Sequence, residues 1–200
     1  MKLYYSPTSP YARKCRALVI EKGLENKIEM VEAIPFDNPE ELHGANPLGK
    51  VPALTRDGAP ALIDSPLICE FIDTLNDERW VPESGGPRWA VLRQQAIADG
   101  LIDITIGRRI ELWRDEKLHY DFWIERWGEA VKRTVAVLEH ERGQFERSFD
   151  LGALSVAIAL GYLDLRFADY DWRADAPGLA EFYARWSQRE SFQRTEPPAQ

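Results

Sequence analysis

Lys2-Leu3-Tyr4-Tyr5-Ser6-Pro7-Thr8-Ser9-Pro10-Tyr11-Ala12-Arg13 joins a β-prone run to a helix start within twelve residues, the mark of an α/β unit. The β-prone run from Lys2 to Ser6 ends in a proline-containing turn. Ser9 then stands where a helix takes its N-cap, and Pro10 at the first helical position, where a missing N–H costs nothing. The order is strand, turn, helix. In that helix, 10–22, Cys15, Leu18 and Val19 fall at i, i+3 and i+4, so one face seeks a core, and Gly23 is the residue favoured just past a helical C-terminus. Ile28 to Glu32 reads as a second short strand, which completes a βαβ opening, and 35–47 reads as irregular with a short helix.

Outward from this unit, Val51–Thr55 and Ala61–Ile63 flank Arg56-Asp57-Gly58, whose Asp-Gly pair is a hairpin signal, so these strands are expected to be antiparallel. A helix beginning at Ser65-Pro66 follows, with an apolar stripe of Leu67, Phe71 and Leu75 beside Ile68 and Ile72. The first domain, 1–77, is therefore α/β in the order βαβ-α-ββα. Pro82, Ser84-Gly85-Gly86 and Pro87 mark 78–88 as a linker. From Trp89 strand signals nearly vanish, and helical patterns cover 89–117, 121–147, 150–168 and 176–190, so 89–200 reads as an all-α bundle. Pro197-Pro198-Ala199-Gln200 reads as a frayed tail.

Composition narrows the function classes. The 200 residues are 44% hydrophobic and 29% charged, enough apolar material for a globular core. A net charge of −8 disfavours nonspecific attraction to nucleic acid. No stretch approaches the roughly 20 apolar residues of a membrane span, and the first residues lack the apolar core of a signal peptide, so a cytoplasmic protein is expected. Cys15 and Cys69 form no CxxC and read as small buried hydrophobes; His43, His119 and His140 have no paired-ligand spacing, and no metal is expected.

Three tracts carry chemistry. At Ser9-Pro10 the positive end of a helix favours an anion and a hydroxyl can donate to it, although capping alone also accounts for the pair. A thiolate suits the spot: a free thiol titrates near ~8.5, and each unit of depression requires about 1.4 kcal/mol of selective anion stabilisation. No cysteine occupies this turn, so the thiol would arrive on a ligand, and glutathione is the candidate. In Asn46-Pro47-Leu48-Gly49-Lys50-Val51-Pro52-Ala53-Leu54, Pro52 opens a strand it cannot donate to. A cis Val51–Pro52 bond and a Val51 backbone free to pair with an extended peptide are the functional reading, and a plain edge strand is the other. Asp64-Ser65-Pro66 repeats the Ser-Pro helix start: Ser65 suits a carboxylate and Asp64 an ammonium, as in the α-amino-acid end of a γ-glutamyl ligand, with capping again the alternative.

In combination these tracts resemble the glutathione transferase superfamily, together with a helical second half ending in Arg189-Glu190-Ser191-Phe192-Gln193-Arg194-Thr195. The likeness covers essentially the whole chain and looks closest to bacterial members of the serine-dependent type. It implies a thioredoxin-like first domain and a helical-bundle second domain. It also implies that Ser9 is the catalytic residue, hydrogen-bonded to the glutathione sulfur, with Tyr5 and Thr8 as alternatives. Val51 matches the backbone that pairs with the cysteinyl group, Pro52 the cis-proline, Asp64 with Ser65 the glutamyl-binding pair, and Lys50 a contact near the glycyl end. Asn38 stands where related enzymes often carry a lysine for the glycyl carboxylate. Asp150 resembles the family's C-domain helix cap, with Ala153 where the reciprocal acidic residue is expected.

The resemblance further implies a homodimeric, detoxifying enzyme that uses glutathione as co-substrate against an electrophilic small molecule. That molecule is expected between the domains against Thr105, Arg108, Glu111 and Trp113, unless Trp113 is core and Arg108-Arg109 a solvated face. Isomerase, dehalogenase or lyase chemistry uses the same thiolate. The rival class is a noncatalytic binding or regulatory protein of the same fold.

Overall fold

The computed structural model describes residues 1–167 and 170–198. The chain divides into two compact units, Met1–Arg88 together with the segment from Ser187 onward, and Trp89–Trp186. The first contains β1 (Lys2–Tyr5), α1 (Pro10–Glu21), β2 (Glu29–Glu32), α2 (Glu40–Ala45), β3 (Ala53–Arg56), β4 (Ala59–Leu62) and α3 (Ser65–Asp73). This is the βαβ-α-ββα order expected from the sequence.

The sheet runs β2-β1-β3-β4. β1 pairs parallel with β2, placing Tyr5 opposite Glu32, and antiparallel with β3, placing Tyr4 opposite Ala53. β4 returns antiparallel with Leu62 opposite Leu54 and Ala59 opposite Arg56. β4 thus spends one more residue than β3 between those pairs, and this irregularity contains Pro60, which has no N–H for a ladder. Alternation sends Leu3 and Leu54 to one face and Tyr4 and Ala53 to the other, where they pack with Ala33, Leu42 and Ala45.

Local chemistry fixes the two helices that matter most. Ser9 caps α1, its hydroxyl oxygen accepting from the Ala12 N–H at 3.2 Å, and Pro10 fills the first position. At the other end Gly23 has φ +63°, the Gly23 N–H donates to the Ile20 carbonyl and the Leu24 N–H to the Val19 carbonyl. That paired return is the Schellman arrangement, which a Cβ at Gly23 would strain. In α3 the buried face is Ile68, Cys69 and Ile72; Leu67, expected in the stripe, is half exposed. Lys22 and Asp73 join the ends of α1 and α3 in a buried ion pair of 2.7 Å, and the Asp73 carboxylate also accepts from the Trp80 and Val81 N–H groups at 2.9 Å each.

The helices that follow are α4 (Gly85–Trp113), α5 (Asp121–Glu141), α6 (Leu151–Arg166), α7 (Trp172–Asp175), α8 (Pro177–Ser187) and α9 (Glu190–Arg194). α4 begins in the stretch expected to be linker, because Gly85-Gly86-Pro87 sits in a first turn whose N–H groups have no helical acceptor to lose. α6 is apolar on all sides and buried from Leu151 to Leu163, which makes it the core of its unit. Asp150 caps it alone, accepting from the Ala153 N–H at 2.8 Å. Gly152 lets α6 lie against α4: a Cβ there would meet the Gln94 Oε1 at 2.6 Å and the Val91 carbonyl at 3.0 Å. The expected helix 150–168 ends at Arg166, with residue 168 outside the described residues, as are Ala199 and Gln200 of the expected tail. No helix among the described residues is long and apolar enough to cross a membrane.

Candidate functional site

The register of the sheet gathers the three tracts. Because β1 and β2 are parallel and β3 is antiparallel to β1, the end of β1 at Tyr5, the end of β2 at Glu32 and the start of β3 at Ala53 share one edge of the sheet. The end of β4 at Leu62 joins them through its pairing with Leu54. The segments leaving that edge are 6–9, 33–39, 46–52 and 63–65. Crevices beyond strand ends of an α/β unit are where ligands bind. Ser9, Asn38, Lys50, Val51, Pro52, Asp64 and Ser65 all lie on these segments, with Tyr5 and Thr8 beside Ser9.

Ser9 is half-buried, and the hydroxyl oxygen that accepts from Ala12 still carries a proton to donate. The Ser9 N–H closes the preceding turn on the Ser6 carbonyl at 3.1 Å. Tyr5 is half-buried too, and its ring lies beneath the Arg16 guanidinium at 4.1 Å. Burial pulls Arg16 below its ordinary pKa, against the opposing pull of Tyr5 and Glu32.

The Val51–Pro52 bond is cis. Val51 lies two residues before the ladder opens at Ala53, so its backbone is outside the β1–β3 pairing. Asn46 shapes this turn: its side-chain N–H donates to the Lys50 carbonyl at 2.8 Å and its side-chain oxygen accepts from the Leu48 N–H at 3.0 Å. Asn46 is itself buried, and sequence reasoning gave it no role although the Asn-Pro pair is a turn signal. Lys50 is exposed, and Asn38 is exposed in the left-handed region at φ +49°, which asparagine tolerates.

At the head of α3 the exposed Asp64 is the N-cap, its carboxylate accepting from the Ser65 N–H at 2.5 Å. Ser65 is completely buried, and its hydroxyl has no hydrogen-bond partner among the described residues. A buried hydroxyl left unpaired costs about 1–3 kcal/mol. The site thus holds an unsatisfied polar group at a helix N-terminus, where an anionic ligand atom is favoured.

The four residues expected to meet a second substrate lie on α4 and differ in availability. Thr105 is wholly buried and donates its hydroxyl to the Leu101 carbonyl at 2.7 Å. Glu111 accepts from the Tyr120 N–H at 2.8 Å and from Arg114 at 3.0 Å, closing the turn between α4 and α5. The Tyr120 bond and then Arg114 hold this carboxyl below its ordinary range. Trp113 is exposed, with the Arg109 guanidinium 5.7 Å from its ring. The Arg108 guanidinium packs over the Phe167 ring at 4.1 Å and lines a cavity of about 330 Å³ with Ile124, Lys132 and Tyr170. The Tyr170 phenol there is pushed up to about 12, first by burial and then by Asp175.

Comparison with known proteins places this geometry. Residues 3–80 match the family described as glutathione S-transferase, N-terminal domain, and residues 121–185 the glutathione S-transferase, C-terminal domain. The uncharacterized GST-like protein YibF of Escherichia coli (strain K12) is 33% identical over 202 residues, covering 99% of each chain. A glutathione transferase family member from Pseudomonas fluorescens Pf-5, solved with bound glutathione, superposes with a TM-score of 0.94 at 38% identity, covering 99% of each chain. A glutathione S-transferase from Methylobacillus flagellatus, solved with glutathione bound, gives a TM-score of 0.91 at 34% identity over 98% of this chain and 99% of that one.

Proposed function

This chain belongs to the glutathione S-transferase family, and on that premise we propose that it is a glutathione transferase of the serine-dependent type. It binds glutathione beyond the strand ends of its first unit, holds the sulfur as thiolate at Ser9, and presents it to an electrophilic small molecule. The single observation that carries the reading is the completely buried Ser65 hydroxyl at the head of α3, which has no hydrogen-bond partner among the described residues and lies on the same sheet edge as Ser9 and Val51. A γ-glutamyl carboxylate supplies the acceptor that this hydroxyl lacks, and Asp64 beside it offers a partner for the ammonium group.

The order of these groups along the sheet edge supports a placement for the rest of the ligand. An extended tripeptide lies along the backbone at Val51, so its cysteinyl unit pairs there by strand addition while its thiol reaches the amino end of α1. Lys50 and Asn38 stand on the neighbouring segments for the glycyl carboxylate. Ser9 does not become the nucleophile; it donates a hydrogen bond to the sulfur anion, and the helix dipole adds to the stabilisation. The thiolate attacks the electrophilic carbon: an S–C bond forms, and the displaced electron pair departs with a leaving group in a substitution, or moves onto the far atom of a multiple bond and takes up a proton from water in an addition. Relatives solved with bound glutathione support the ligand. We also propose that the protein is cytoplasmic and acts as a homodimer, and that α4, through Arg108 and Trp113, contributes contacts to the second substrate.

An ultraviolet titration of bound glutathione tests the central step. Ser9→Ala is expected to raise the bound thiol pKa by about one unit, the equivalent of one hydrogen bond to an anion, and to lower conjugation roughly tenfold with glutathione affinity within a few-fold. Identical thiol titrations in the two proteins would sink Ser9 as the activating group and pass the role to Tyr5 or Thr8. Absence of glutathione binding at millimolar concentration would sink the transferase reading as a whole.

A further inference from the structure

Cys15 and Cys69 share no motif, yet the fold brings their sulfurs to 3.6 Å across the α1–α3 contact. Neither is in a disulfide and both are wholly buried. Cys15 has a second neighbour: its sulfur lies 3.9 Å from the carbonyl oxygen of Ser65, the residue whose hydroxyl is orphaned at the head of α3. The pair therefore sits directly beneath the two helix ends that face the candidate site. Cys15 is about one and two-thirds turns below Ser9, and Cys69 about one turn below Ser65.

We infer that Cys15 and Cys69 form a reversible redox modification site, which a hydroperoxide closes to a disulfide, and that the bridge weakens ligand binding at the amino ends of α1 and α3. The second half of this inference rests on the glutathione site proposed above; the first does not. One thiol, as thiolate, attacks the peroxide O–O bond, forming a sulfenic acid and releasing the alcohol, or water when the oxidant is hydrogen peroxide. The second thiol then attacks that sulfur, forming the S–S bond and expelling water. Two thiols and one hydroperoxide give one disulfide, one alcohol and one water, the sulfurs losing two electrons and the O–O bond accepting them. Two glutathione molecules reverse the step by successive exchange, leaving as glutathione disulfide.

The geometry says where the strain of closure goes. A disulfide holds its sulfurs at about 2.05 Å, so the pair must approach by roughly 1.6 Å from its present 3.6 Å. The carboxyl ends of the two helices resist this movement, because Lys22 and Asp73 are locked in their buried ion pair and Asp73 also holds the Trp80 and Val81 amides. Movement is passed toward the amino ends instead, which are held by single capping bonds at Ser9 and Asp64, and the Cys15 contact to the Ser65 carbonyl is broken as the sulfur turns to its new partner. Burial makes the site slow and selects small oxidants that enter by local opening of the helix pair.

The test uses the full-length protein treated with hydrogen peroxide, then denatured, alkylated and weighed intact. The expected result is loss of two hydrogens with neither cysteine alkylated, a proteolytic fragment joining Cys15 to Cys69, and return to the starting mass with dithiothreitol. Calorimetry on the same samples is expected to show several-fold weaker glutathione binding after peroxide, restored by reduction. Cys15→Ala and Cys69→Ala each remove only a small sulfur group, and neither protein should form the bridge or respond to peroxide in affinity. Two alkylatable cysteines after treatment, or oxygen added to a single cysteine, would overturn the inference. A bridge that forms with affinity unchanged overturns its coupling to the site. If the reduced protein does not bind glutathione, the earlier reading fails while the mass result still decides the bridge.

Discussion

Ser65 and Ser9 look alike in sequence, each a serine before a proline at a helix start, but the structure separates them. Ser9 caps its own helix through the Ala12 N–H, whereas the cap of α3 is Asp64 and the Ser65 hydroxyl has no hydrogen-bond partner among the described residues. Opposite consequences follow for substitution. Ser9→Ala removes a cap and should cost about 1 kcal/mol of stability in addition to its effect on the thiol. Ser65→Ala removes an unsatisfied buried hydroxyl, so the ligand-free protein should be as stable or more stable, by up to about 1 kcal/mol, while glutathione affinity falls roughly tenfold. Urea denaturation and calorimetry read the two quantities separately. A Ser65→Ala protein that is both less stable and unchanged in affinity would show the hydroxyl to be structural. At this scale the sequence made the candidates visible, because capping is local, but it did not reveal which serine lacked a partner, since that depends on what packs around it.

At the scale of elements, α1 is held at three levels. Ser9 fixes its start, the Schellman turn at Gly23 its end, and α9 lies along it. Arg189 donates to both Glu21 oxygens, at 2.7 and 2.5 Å, and Ser191 donates to Glu21 as well. Burial pushes the Glu21 carboxyl upward, but the Arg189 and Ser191 bonds and the Arg189 charge outweigh it and hold the pKa below the ordinary 4.5. A depressed carboxylate pKa means the folded form binds fewer protons than the unfolded one. The stability it contributes is therefore complete above 4.5 and is lost as pH falls through the folded value. Glu21→Gln should cost about 2 kcal/mol at neutral pH, as for hydrogen bonds to a charged group, with the gap to the parent protein narrowing as pH drops below 4.5. Denaturation of both proteins across that range checks it, and a gap that stays constant into acid would contradict the assignment. The starts of α1 and α3, the end of α1 and the hairpin were legible because each rests on neighbours in sequence. The Lys22–Asp73 pair and the approach of Cys15 to Cys69 were not, since their partners lie 51 and 54 residues away. The start of α4 misled for the opposite reason: Gly85-Gly86-Pro87 reads as a break, yet those residues are harmless in a first helical turn.

For the whole molecule, chain order and spatial unit do not coincide: the segment from Ser187 onward belongs with the sheet, while 89–186 forms the other unit. The closing segment supplies long-range partners to α1. The buried Arg13 donates to the Phe192 carbonyl at 3.2 Å and to the Thr195 hydroxyl at 3.4 Å, and its guanidinium lies 5.0 Å from the Phe192 ring. Deleting 187–200 would strip these partners from Arg13 and those of Glu21 together, and would remove the α9 packing that covers α1, at several kcal/mol. That is a large part of the roughly 5–15 kcal/mol by which a domain is stable. The core helix α6 belongs to the other unit, where its cap is Asp150 and its close approach to α4 runs through Gly152. Hydrogen exchange on the truncated protein should therefore show protection collapsing in 10–21 and persisting in 151–163. Because Ser9 stands at the head of the helix that comes loose, glutathione binding should vanish in the same protein. Equal loss of protection in both stretches would mean that the two units unfold as one, and retained protection in 10–21 would mean that α1 does not depend on the end of the chain.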